Sequence, residues 1–182
     1  MSKTIFQEVV ICAVAVIAIG CAAGQKDDAG SGDNMALELR NMILSSEPPA
    51  ANASDKSPAA VIMDVHVGDG IASVMSSSGG DASIYLSSGG AMMGGGAHSN
   101  VRSAAIAFAN AALRQKSAMA SAPAFPYPET GKVRFYLRTR EGVFFAEAPE
   151  AELTAGTHPL SALFGTGQEV ITQFRSVSGS TE

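Results

Sequence analysis

Asp64 and His66 come nearest, by type and spacing, to residues that could do chemistry. They stand two apart in AVIMDVHV (60–67), and the two-residue period of a strand puts both on one face. A carboxylate and an imidazole so placed can begin a metal site and, with Asp69 nearby, an exported metal-dependent hydrolase. A closed zinc site needs four ligands, and a catalytic one three plus water, so His98 or His158 would have to join them. Two ligands are too few, and polar residues on a half-exposed strand face account for the pair. A second candidate is the loop GGAMMGGGAHSN (89–100), between a strand and a helix, where free N–H groups and the helix dipole favour anions. Gly94, Gly95, Gly96, His98 and Arg102 would line such a small-ligand or anion site. No Gly-Lys-Ser/Thr follows, and Gly68-Asp69-Gly70 fails to complete a dinucleotide fingerprint because Ser73 stands where the third glycine belongs. Glycines that let the chain turn sharply explain the loop as well. A third candidate is the basic parity of one strand, Lys132, Arg134, Tyr136 and Arg138, as a binding surface for an anionic partner. Glu147 lies within cross-strand reach of that face, and cross-strand pairing explains much of it. Serines are plentiful, but none sits in a G-x-S-x-G elbow. No catalytic set, metal or cofactor is expected.

Two further stretches bear on address and chemistry through resemblance. Asp64-x-His66 with Gly68-Asp69 resembles the opening of a metallophosphoesterase motif, but the spacing fails: that family's Gly-Asp lies much further along, and its Gly-Asn-His is missing here. At the other end, Lys3 and the free amine precede an apolar run from Val9 to Ala23. The run is shorter than the roughly 20 residues of a bilayer-spanning helix and matches the apolar core of a secretory signal, with Glu8 as its one blemish. It ends in Ala18-Ile19-Gly20-Cys21, which resembles the lipobox of bacterial lipoproteins. That resemblance implies cleavage before Cys21 and lipid on its sulfur and amine. Cys12 would leave with the signal, so the mature chain's lone cysteine would be the acylated one. The alternatives are a single-pass anchor or an ordinary cleaved signal that happens to contain a cysteine. Two or three acyl chains would hold the protein on a membrane durably.

The elements that must position these residues follow from composition and period. The chain has 182 residues, 12 Lys+Arg against 17 Asp+Glu, and 46% apolar residues, enough for one real core. A net charge of −5 gives no general attraction to nucleic acid or anionic lipid, and two cysteines make no disulfide scaffold. The expected division is a signal peptide (1–20), a tether (21–58) with a short helix at 35–44, one globular domain (59–178) and a tail (179–182). In the short helix Met35, Leu39, Met42 and Ile43 share a face, with Asp33 or Asn34 as cap. Strands are expected at 60–67, 71–77 and 82–88, joined by turns at Gly68-Asp69-Gly70 and Ser78-Gly79-Gly80-Asp81. A largely buried helix should span Ser99 to Lys116, with Ser99, Ser103, Asn110, Arg114 and Ser117 as its polar stripe. The clearest hairpin is 132–148, turning at Glu141-Gly142 or one residue earlier. Its two faces are Val133, Phe135, Leu137, Phe144, Ala146 and Ala148 against Lys132, Arg134, Tyr136, Arg138, Val143, Phe145 and Glu147. Thr166 and Glu169 read as a capping box for a last helix running to about Val177, and His158 as a structural or capping residue.

This order predicts an α+β fold: about five antiparallel strands covered by two main helices, which a profilin-like or roadblock-like arrangement fits. SIYLSSGGAMMGGGAHSNVRSAA (83–105) and HPLSALFGTGQEVITQFR (158–175) together resemble an uncharacterised group of bacterial proteins, over about residues 60–177. The resemblance brings no activity or ligand with it. The expectation is a membrane-anchored lipoprotein of the bacterial cell envelope, facing periplasm or exterior. Its domain would act by binding or assembly rather than catalysis, with a protein partner or a second copy through an edge strand, and not with nucleic acid.

Overall fold

The structure is a computed structural model, and it describes residues 31–46 and 60–178. Helix α1 (Ser31–Ser45) is followed by strands β1 (Ala60–Val67), β2 (Gly70–Ser76), β3 (Ala82–Leu86) and β4 (Ala91–Met92). Helix α2 (Ser99–Gln115) leads to β5 (Ala120–Ser121) and the hairpin β6 (Lys132–Thr139) and β7 (Gly142–Pro149). Helices α3 (Glu150–Ala155) and α4 (Ser161–Ser178) close the described chain. The strands form one antiparallel sheet in the order β4-β3-β2-β1-β6-β7-β5, so the expected α+β class holds with seven strands rather than five. The two additions, β4 and β5, are two residues long and carry no alternation to read. They are also the outer strands of this open sheet.

Alternation divides the sheet between two cores. Val61, Met63 and Val65 of β1, Val74 of β2, Ile84 of β3 and Val133, Phe135 and Leu137 of β6 face α2 and α4 in the larger core. The many alanines of α2 bring its backbone close, with Ala105, Ala109 and Ala112 at zero exposure. The five residues read as the polar stripe of α2 are all exposed. Gly167 of α4 sits where a Cβ would come within 2.7 Å of the Met63 sulfur, so glycine permits the helix to lie on the sheet. The hairpin turns on Arg140-Glu141, the earlier of the two registers, with Thr139 opposite Gly142, and its faces are those that the sequence predicts.

Helix α4 begins at Ser161, so Thr166 lies inside it and donates to the Leu163 carbonyl instead of opening a capping box. His158 takes the terminal role: its Nδ1 accepts from the Leu160 N–H at 3.1 Å. The other face of the sheet is covered by α1 and by residues 122–128. Here Leu44, Ile62 and Tyr136 form a small second core with Phe125 and Phe145 packed against it.

Candidate functional site

Helix α1 carries one cation, Arg40, and the fold buries it completely. The helix turns Ala36, Arg40 and Leu44 inward, an i, i+4, i+8 row, and leaves Met35 and Met42 60% exposed. Of the face expected from Met35, Leu39, Met42 and Ile43, Ile43 packs against the second core and Leu39 is partly buried, but the two methionines point to solvent, because the docked face is rotated to bring Arg40 onto Asp64. Asp64 is also at zero exposure. Arg40 Nη2 donates to Asp64 Oδ2 at 2.5 Å, and Nε reaches both carboxylate oxygens at 3.0 and 3.1 Å. Ser73 on β2, opposite Asp64 in register, donates its hydroxyl to Oδ1 at 2.6 Å. Arg40 Nη1 donates to the Asn41 side chain and to the Phe125 carbonyl, both at 2.8 Å. The guanidinium lies over the Tyr127 and Tyr136 rings, 4.7 and 5.0 Å from their centroids. Burial works against the Arg40 charge, but Asp64 outweighs it and holds the group above its ordinary range. Burial likewise pushes the Asp64 carboxyl up, and Arg40 and Ser73 pull it back only in part.

The same loop is gripped from the neighbouring strand. Tyr136 donates its hydroxyl to the Pro126 carbonyl at 2.6 Å, and Arg134 Nη1 donates to that carbonyl at 3.1 Å. Arg134 also pairs with Glu147 at 2.5 Å, and Lys132 pairs with Glu129 and Glu147 at 2.8 and 3.1 Å. Arg138 donates to the Ser46 carbonyl. The four residues offered as an anionic-partner surface thus face inward contacts: Tyr136 is 1% and Arg138 6% exposed, and Lys132 and Arg134 are partly buried in ion pairs. Cross-strand pairing with Glu147, as weighed in the sequence, meets the charges of Lys132 and Arg134, whereas Arg138 is held by a backbone carbonyl.

Asp64 and His66 do share a face, but Arg40 and Ser73 occupy the carboxylate that a metal would need. His66 is half-buried, and its Nδ1 has no partner among the described residues. No group of three or more His, Cys, Asp or Glu that could hold a metal occurs among the described residues. Asp69 lies exposed in the β1–β2 turn.

In the glycine-rich loop, each of three glycines has its own steric reason. Gly94 holds φ +78°; a Cβ on Gly95 would strike Phe174 and, at 2.7 Å, Val101; a Cβ on Gly96 would lie 3.0 Å from the Gly80 carbonyl. Arg102 arches over Gly80, leaving room for no side chain there, and its Nη1 reaches the Gly96 carbonyl at 3.5 Å. Arg102 ties the two turns together, and His98 is exposed beside them. Cys21 and the signal lie outside the described residues, and among those described no helix is long and apolar enough to cross a membrane.

Sequence reasoning passed over Arg40, although a signal existed: a lone Arg in a short helix and a lone Asp in an apolar strand. In comparisons with family models, curated proteins and solved structures, the chain matched none.

Proposed function

We propose that the protein is a bacterial envelope lipoprotein, acylated at Cys21, whose α+β domain works by binding or assembly. It belongs, on this reading, to the bacterial group that its two signature stretches resemble. The observation that carries the binding half is the use made of Asp64. The residue with the most pronounced chemistry in the sequence fastens a helix to a sheet through Arg40 and Ser73. Polar recognition between elements is what this site does, and it is also what an assembly protein needs. Helices on both faces of the sheet match the profilin- and roadblock-like analogy in its layers, which supports the same reading at the level of architecture alone. The anchoring half rests on Ala18-Ile19-Gly20-Cys21 at the end of the apolar run. Growth on radiolabelled palmitate tests it. Label is expected in the native chain and absent from Cys21→Ala; label persisting in that variant would refute the anchor.

A further inference from the structure

Among the described residues, the large apolar side chains that stand exposed are all methionines: Met35 and Met42 on the outer face of α1, each 60% exposed, and Met93 just after β4, 67% exposed. The other large apolar residues of α1, Leu37, Leu39, Ile43 and Leu44, are covered in part or in full. None of the three exposed methionines belongs to either core. The remaining methionines of the described chain are sheltered. Met63 lies at zero exposure against Gly167 of α4, Met119 is 9% exposed in the same larger core, and Met75 and Met92 are partly buried, each packed against a core. What sets methionine apart from other apolar side chains is its thioether, which a dissolved oxidant attacks wherever it can reach the sulfur. The sulfoxide that results is polar and chiral; it disrupts a core but is accommodated where the side chain already faces water. The fold thus sorts its thioethers into those that an oxidant reaches and those that it does not.

We infer that Met35, Met42 and Met93 are sites of reversible sulfoxidation by a peroxide, and that the fold is unharmed when all three are oxidised. In the step, a lone pair of the thioether sulfur attacks one peroxide oxygen, so that an S–O bond forms and the O–O bond breaks. The departing hydroxide takes the proton left on the sulfur-bound oxygen and leaves as water. Sulfur is oxidised by two electrons and the peroxide is reduced by the same two. The fold tolerates the product because α1 docks through Ala36, Arg40 and Leu44, with Arg40 tied to Asp64, on the side away from Met35 and Met42. An added oxygen on the outer face therefore leaves the docked face untouched. The inference uses neither the lipid anchor nor a binding partner, so it stands apart from the proposed function and its failure would not bear on that reading.

Peptide mass spectrometry of the full-length chain in detergent, sampled during treatment with hydrogen peroxide, tests it. Sulfoxide at Met35, Met42 and Met93 should form at least about tenfold faster than at Met63 and Met119, because only the first three present sulfur to solvent. In concentrated urea the five should react at closely similar rates, which shows that the fold and not the local sequence sets the order. The protein carrying three sulfoxides should keep the melting temperature and urea midpoint of the untreated chain, and methionine sulfoxide reductases with a thiol reductant should return its original mass. Met35→Leu/Met42→Leu/Met93→Leu should take up no oxygen between residues 31 and 178 in the time that oxidises those three positions of the unaltered chain. A smaller ratio of rates in the folded chain, a lowered melting temperature once the three have reacted, a mass that the reductases do not restore, or equally fast uptake at the remaining methionines of the triple variant would each overturn the inference.

Discussion

Asp64 is an acid at the centre of an apolar strand, and its environment determines what it can do. With Arg40 beside it the charge is matched; without Arg40 a carboxylate would stay buried among apolar neighbours. Breaking one side of a buried pair costs about 3–5 kcal/mol, because the survivor keeps its desolvation and loses its partner. Asp64→Asn should therefore lower unfolding stability by about that much in urea titration, whereas Arg40→Met/Asp64→Leu, which removes both charges, should cost far less. A double variant as damaging as the single one would show that the packing of α1, not the ion pair, carries the loss. Glu150 gives the pH dependence. Burial raises its carboxyl above the ordinary value of 4.5, and nearby His66, when charged, pulls it back. Across the window from 4.5 upward the folded chain holds a proton that the unfolded chain has released, so this residue's contribution to stability falls as pH rises. Glu150→Gln should flatten that slope and leave the protein more stable than the unaltered chain above the window; an unchanged slope in melting temperature against pH would contradict it. Asp64 and His66 were legible as sharing a face, since alternation fixes that. Arg40 was not, because nothing local to either residue says that α1 lies over β1.

At the scale of elements, α1 is the case in which pattern and structure part. Its apolar residues fall on more than one side, so the period alone admits two docking faces, and the buried charge selects Ala36, Arg40 and Leu44. Met35→Ser/Met42→Ser should then shift the urea midpoint by an equivalent of less than about 0.5 kcal/mol, as surface changes do. A loss of several times that would mean the helix docks on its methionine side. Helix α4 offers the opposite test. Gly167→Ala forces a methyl against Met63 and Phe108, and overpacking of that kind costs about 1–3 kcal/mol. A neutral result would mean that the end of the Met63 side chain moves aside to admit the methyl. The start of α4 was misread because Thr166 and Glu169 have the spacing of a cap while lying mid-helix; the actual start follows His158, whose ring nitrogen accepts a backbone N–H. The long strands and α2 were legible because their alternation and alanine-rich faces are set by burial on the sheet.

Taken whole, the molecule has a dry side and a polar side. Its larger core is apolar save for the buried hydroxyl of Ser76, opposite Val61, while the face under α1 holds ion pairs and hydroxyls that join a helix and a loop to the sheet. Strand order was not legible, since the pairing of β1 with β6 depends on contacts far apart in sequence, and the two-residue edge strands have no pattern to detect. On the account proposed, this two-sided domain works while leashed to a membrane by its first mature residue. Intact-mass measurement of the protein purified from its native membrane tests that most directly. The expected result is a chain beginning at Cys21 and heavier than its residues by two or three acyl groups; a chain that still begins at Met1 or carries a free thiol at Cys21 would contradict the anchor.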